Sequence, residues 1–240
     1  MGKTSFLFPG QASQYVGMGN DIYNKNEHCA KLYDIADEMF DFSLKNISFN
    51  GPLKDLTETK VTQPAIFVNS VAIYKELEKK GSCLDMVAGH SLGEYSALVS
   101  AGVLSFEEGL KLVKIRSEQM QAATESSDGT MAAIIGLTFD QVQVVIKNSG
   151  ISGVCQIANH NSTQQIVISG SVPAVQSMMM ELKNKGAKRA IELPVGGAFH
   201  SPLMESARQK LQEALNEAEF QAPKFPIYSN VTGTATTDPA

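Results

Sequence analysis

The sequence predicts an α/β protein: a parallel-sheet layer covered by helices, carrying a smaller inserted βαββαβ unit. Three observations predict this. Short apolar strands alternate with helices through the first half, which implies a parallel sheet covered on both faces. Gly89-His90-Ser91-Leu92-Gly93 falls between an apolar segment ending Met86-Val87-Ala88 and the helix-forming Glu94-Tyr95-Ser96-Ala97-Leu98-Val99, the strand–turn–helix context of a nucleophile elbow. Beyond the polar stretch Glu125-Ser126-Ser127-Asp128-Gly129 the order changes to strand, helix, two strands, helix and strand, a ferredoxin-like unit of about seventy residues.

Each element has a local cause. Thr4 to Phe8 reads as a buried strand ended by the turn pair Pro9-Gly10, and Cys29 to Met39 as a helix followed by a polar loop containing Gly51-Pro52. Thr62 is the expected N-cap of a helix with Pro64 in its first turn and Gly81 at its end. The helix after Ser91 closes at Gly102, and Ser105-Phe106-Glu107-Glu108 is a capping box opening a helix to about Ala123. In the inserted unit, Met131 to Leu137 reads as a strand, Asp140 to Asn148 as a helix, and Val154 to Ala158 and Gln165 to Ser169 as two strands. Pro173 to Lys185 reads as a helix and Arg189 to Val195 as a strand. After Gly196-Gly197 come a helix from Pro202 to about Ala218 and a last strand at Pro226 to Ser229. The expected boundaries are 1–125 with 197–240 for the large subdomain and 126–196 for the small one.

At 240 residues, 43% hydrophobic and 19% charged, the chain has the composition of a soluble globular protein. A formal net charge of −5 argues against nucleic acid as the main partner. Cys29, Cys83 and Cys155 show neither disulfide-framework nor zinc spacing, so no metal is expected and a reducing cytoplasm is the default. The N-terminus lacks a signal-peptide core, and no apolar run approaches membrane-spanning length.

Glycine and serine are both common here, so the elbow pentapeptide draws its weight from its flanks. Its glycines permit a tight turn, and the following helix aims N–H groups at developing negative charge, making Ser91 the candidate nucleophile. His200 is its candidate base. It precedes a helix with Ser201 as N-cap and Pro202 in first position, where the dipole disfavours imidazolium and leaves the ring ready to accept a proton. No acidic residue stands out as a third member, which leaves a backbone carbonyl to orient the imidazole. Arg116 falls on the apolar stripe of Leu112, Val113 and Met120, where a guanidinium either snorkels, pairs internally, or clamps a substrate carboxylate. The loop Gly10-Gln11-Ala12-Ser13-Gln14 is placed to offer a second oxyanion N–H beside that of Leu92. Asn159-His160-Asn161, between two strands, either turns the chain or lines a cleft. Lys183, Lys185, Lys188 and Arg189 form the densest basic cluster.

Together these pieces resemble the malonyl-CoA:acyl carrier protein transacylases and the related acyltransferase domains of polyketide synthases. The resemblance covers essentially the whole chain. It rests on Phe8-Pro9-Gly10-Gln11, Thr62-Gln63-Pro64-Ala65, Gly89 to Glu94, Ile115-Arg116, Met131 to Gly136 and Ala198-Phe199-His200-Ser201, in the family's order and spacing. It implies a hydrolase-like α/β subdomain with a ferredoxin-like insert. It also implies Ser91 as the acylated nucleophile, His200 as base, Arg116 on the malonyl carboxylate, Gln11 and Leu92 as oxyanion donors, and Asn159 and Asn161 on the pantetheine arm. The triplet Ala198-Phe199-His200 is similar to the malonyl-preferring form. Two departures stand out. Ala12 replaces a frequent glycine and is expected to hold its loop at negative φ. The family also normally continues past the position of Ala240 with further helices and a last core strand, so a truncated chain with part of its sheet uncovered is expected.

The resemblance implies malonyl transfer from malonyl-CoA to the phosphopantetheine thiol of acyl carrier protein, feeding fatty acid elongation. It implies no cofactor and a cytoplasmic monomer. The rivals are a malonyltransferase serving a polyketide synthase in trans, a serine esterase or thioesterase on the same elbow, and a silent carrier-docking module.

Overall fold

The first apolar run, Ser5–Phe8, forms strand β1, and the computed structural model, which describes residues 2–238, builds one unit around it. Helices α1 (Asn20–Lys25), α2 (Glu27–Met39), α3 (Leu44–Asn50), α4 (Leu53–Leu56) and α5 (Thr59–Lys79) follow. Strand β2 (Met86–Gly89), α6 (Gly93–Ser100) and α7 (Phe106–Glu125) come next. This larger unit runs to Glu118, inside α7, and resumes at Glu213. Its core is helical: Tyr33, Phe67, Leu92 and Leu110 are fully buried, and Phe67 stacks on Phe106 with ring centroids 5.7 Å apart. Two helix starts differ from expectation. The segment read as a polar loop around Gly51-Pro52 holds the short helices α3 and α4, the first opened by the Ser43 hydroxyl accepting from the Asn46 N–H. Helix α5 begins at Thr59 rather than after Thr62, because the Val61 and Thr62 N–H groups both donate to the Glu58 carbonyl. Burial of Val61 draws that extra turn into the core and leaves Pro64 inside the helix, at the loss of one backbone bond.

The second unit, Gln119–Gln212, contains β3 (Gly129–Ile135), α8 (Phe139–Asn148), β4 (Cys155–Ser162), β5 (Gln165–Ser171), α9 (Val172–Asn184) and β6 (Arg189–Glu192). Its sheet is antiparallel in the order β4-β5-β3-β6, a ferredoxin-like arrangement over a core of Ile134, Ile166, Ile168 and Met178. Thr138 and Gln141 form a reciprocal capping box at α8. The polar stretch from Glu125 ends α7 actively: the Ser126 and Ser127 hydroxyls both donate to the Ala123 carbonyl at 2.9 Å. Strand β4 extends past Ala158 to Ser162, so Asn159, His160 and Asn161 lie within a strand and not between two. The β4–β5 hairpin turns on Thr163-Gln164, without glycine, and its register shifts between Ile157 and Asn159 and again between His160 and Ser162. Those bulges hide the strand from an alternation reading.

The chain leaves this unit through a 3-10 turn (Pro202–Met204) and α10 (Glu205–Glu217), then adds β7 (Ile227–Tyr228) and β8 (Ala235–Thr236) to the first sheet. There β2 lies between β1 and β7, parallel to both, and β8 returns antiparallel. Burial alternates along the strands: Phe8, Val87 and Ile227 are buried, whereas Leu7 is 76% exposed and Tyr228 39%. Coverage on both faces is therefore corrected. Among the described residues, the face carrying Leu7, Ala88 and Tyr228 has no helix over it. Among the described residues, no helix is long and apolar enough to cross a membrane.

Candidate active site

Ser91 occupies a turn that only this glycine pattern allows. A Cβ at Gly89 would lie 1.9 Å from the Gly93 carbonyl carbon, and one at Gly93 would lie 2.2 Å from the Phe8 carbonyl oxygen. The turn is closed by the Gly93 N–H donating to the His90 carbonyl at 3.0 Å and the Glu94 N–H to that of Ser91 at 3.1 Å. Ser91 itself sits at φ +51°, a left-handed conformation that costs an L-residue about 1–2 kcal/mol. The hydroxyl thus leaves the strand end at the start of α6, as an elbow requires.

Parallel pairing sends the loops after β1 and β2 to the same end of the sheet. The loop after β1 approaches closely, since a Cβ at Gly10 would meet the His90 carbonyl oxygen at 2.6 Å. The Gln11 side chain is anchored at 3.4 Å from Gln63 and 3.5 Å from Thr59. Neither the Gln11 nor the Leu92 N–H donates to a protein acceptor among the described residues, which leaves both available to an oxyanion. Ala12 corrects an expectation: it has φ +79°, not a negative value, with its N–H donating to Gln14 Oε1 at 2.9 Å.

Arg116 defines the site's electrostatics. It is buried, and its guanidinium donates through Nη2 to Ser91 Oγ at 3.0 Å and through Nη1 to Gln63 Oε1. Its carbon centre lies 5.8 Å from the centroid of the Tyr95 ring. It forms no ion pair among the described residues, whose salt bridges all lie elsewhere. Burial holds its pKa below the usual guanidinium value, against the opposing fields of Tyr95 and Glu94. Burial also pushes the Glu94 carboxyl up, opposed by bonds from Asn230 and by the charge of Arg116. A buried cation without a carboxylate partner, touching the nucleophile, leaves room for an anionic substrate group.

Four members of this arrangement escape sequence reasoning. Gln63 orients Arg116, and only its place before Pro64 in the Thr62–Ala65 motif marks it. Glu94 and Tyr95 pass as ordinary residues of α6. Asn230, two residues beyond the end of β7, is a longer-range surprise: its side chain accepts from the Ser91 N–H at 3.0 Å and donates to the Gly89 carbonyl at 2.6 Å.

Within the larger unit Ser91, Leu92, Arg116 and Gln11 thus come together. His200, Asn159 and Asn161 belong to the second unit. His200 is exposed, at φ +57°, and its carbonyl accepts from Gln156 Nε2 at 2.8 Å, tying it to the strand that carries Asn159 and Asn161. Ser201 caps as expected, its hydroxyl accepting from the Leu203 N–H at 3.2 Å and donating to the Ala198 carbonyl at 2.6 Å. Asn159 is half-buried and Asn161 exposed at the second register shift of β4. His160 packs against the Phe139 ring at 5.4 Å.

Comparison with known proteins adds independent observations. The acyl transferase domain model matches residues 5–240. The malonyl CoA-acyl carrier protein transacylase of Bacillus subtilis (strain 168) is 42% identical over 241 residues, covering 100% of this chain and 76% of its own. That of Staphylococcus aureus (strain MRSA252) is 39% identical over 239 residues, covering 99% and 77%. Among solved structures, the Coxiella burnetii malonyl CoA-acyl carrier protein transacylase superposes with a TM-score of 0.93 at 37% identity, over 98% of this chain and 75% of that one. A malonyl-transacylase in complex with a type II polyketide synthase acyl-carrier protein superposes with a TM-score of 0.92 at 36% identity, over 99% and 77%. Elbow, buried arginine, two-unit fold and full-length likeness agree: the chain belongs to the acyl transferase domain family, among the malonyl CoA-acyl carrier protein transacylases.

Proposed function

We propose that Ser91 of this acyltransferase carries the malonyl group from malonyl-CoA to the phosphopantetheine thiol of acyl carrier protein, supplying fatty acid elongation as a cytoplasmic monomer. The observation that carries this reading is Arg116, buried, without a carboxylate partner and in hydrogen-bond contact with Ser91 Oγ. A malonyl ester on that oxygen carries its carboxylate carbon only two bonds beyond the ester carbonyl carbon. A guanidinium already touching the oxygen is therefore within reach of it.

The reaction follows from these groups. His200 takes the proton of Ser91 as Oγ attacks the thioester carbonyl, and the Gln11 and Leu92 N–H groups receive the oxyanion. Collapse breaks the carbon–sulfur bond, and His200 returns the proton to the departing CoA thiolate. The carrier's thiol then gives its proton to His200 and attacks the acyl-serine, and the proton restores the Ser91 hydroxyl. Arg116 holds the carboxylate through both halves, with Asn159 and Asn161 on the pantetheine arm.

Arg116 also sets specificity, because a neutral acyl chain leaves a buried guanidinium unmatched. Arg116→Ala is expected to slow Ser91 acylation by malonyl-CoA by about 10²-fold or more, and that by acetyl-CoA far less. Single-turnover acylation with the two donors checks this, and equal losses would remove the carboxylate role.

A further inference from the structure

Beyond the residues of that mechanism, we infer that Asn230 is a positioning residue, its side-chain amide completing the sheet ladder where β2 bends away into the nucleophile elbow. The inference rests on Ser91 being the acylated residue, and its geometry stands on its own. In the β2–β7 ladder Val87 pairs with Ile227 and Ala88 with Tyr228. Continued by two residues, that register sets His90 opposite Asn230. In a parallel ladder the residue at such a position bonds the two peptide groups flanking its partner, donating to one carbonyl and accepting from one N–H. The backbone cannot do this here, because Ser91 has turned to φ +51°.

The Asn230 amide makes both bonds instead. Nδ2 donates to the Gly89 carbonyl at 2.6 Å and Oδ1 accepts from the Ser91 N–H at 3.0 Å, the two groups flanking His90. Its own position is fixed from two sides. Its backbone N–H donates to Glu94 Oε1 at 3.1 Å, and the Ser229 turn is closed by the Gly233 N–H donating to the Ser229 carbonyl at 2.9 Å and the Ser229 N–H to the Thr234 carbonyl at 3.2 Å. One side chain therefore spans the serine's strained peptide from the residue before the turn to the nucleophile. Left-handed backbone at a non-glycine residue persists only where its surroundings over-determine it, and this brace is what over-determines Ser91.

Asn230 touches no reacting atom, so its loss should misplace the hydroxyl without weakening substrate binding. The test compares the parent chain with Asn230→Ala and with Asn230→Asp, which keeps the shape but cannot donate to the Gly89 carbonyl. Two probes are used: malonyl-CoA, followed by intact mass, and a fluorophosphonate, which reports the reactivity of Ser91 independently of malonyl transfer. Rates are normalised to the number of sites that finally label, so that unfolded molecules do not count. Both variants are expected to label about tenfold to a hundredfold more slowly with either probe, with the KM for malonyl-CoA within about twofold of the parent. Unchanged rates per site, or a loss carried wholly by KM, would overturn the positioning role. Slow fluorophosphonate labelling in the variants, with no malonyl adduct even on the parent, would keep the brace and remove the malonyl reading. A parent that takes neither probe would remove both.

Discussion

At the scale of single residues, strain and charge are held at a few positions around Ser91. Ser91 and Ala12 both adopt left-handed backbone, at φ +51° and +79°. Ser91 is braced by Asn230, whereas Ala12 is held in its exposed turn by its own N–H bond to Gln14 and by the Ser13 hydroxyl donating to the Gly10 carbonyl. Replacing Ala12 by glycine should therefore remove strain that function does not use. Ala12→Gly is expected to raise stability by about 0.5–1 kcal/mol in urea unfolding, with acylation of Ser91 unchanged. Arg116 is legible in the sequence because a guanidinium on an apolar stripe is chemically out of place. Gln63 and Asn230 are not legible, because amides look ordinary until the partners that fold against them, 53 and 139 residues away, are known.

At the scale of elements, the helix–strand alternation and the βαββαβ order follow directly from apolar periodicity and capping residues. The boundaries that moved did so for tertiary reasons. Burial of Val61 advanced the start of α5, and two register shifts concealed the second half of β4. The serines of the polar stretch where the pattern changes end α7. One exacting element contact is that of α6 on the end of β1, where Gly93 packs against the Phe8 carbonyl. Gly93→Ala places a methyl group into backbone that cannot retreat. It is expected to cost several kcal/mol and to abolish Ser91 acylation, measured by thermal unfolding and adduct formation together. A variant that keeps the parent's stability would show the elbow to be looser than this packing implies.

At the scale of the whole molecule, charge and surface decide how a carrier protein is met. The chain bears a net charge of −5, so a carrier of like charge must be drawn by a local patch. Lys183, Lys185, Lys188 and Arg189, all exposed at the end of α9 and the start of β6, supply the densest one. Reversing these four charges is expected to raise the KM for carrier protein by about tenfold at low salt, to lose that effect at high salt, and to leave the KM for malonyl-CoA unchanged. The fold class was readable in the sequence. The open sheet face was not readable from the strands themselves, because alternation along strands as short as four residues does not say whether a second layer is present; only the family resemblance implied it.

The central claim is that Ser91 is a transfer serine held for a malonyl group, and intact mass tests it most directly. After mixing with malonyl-CoA, the chain should gain one malonyl group on Ser91, persist in that state, and lose it on addition of carrier protein bearing its phosphopantetheine thiol. Rapid loss of the adduct to water without carrier, or no adduct at all, would contradict the account.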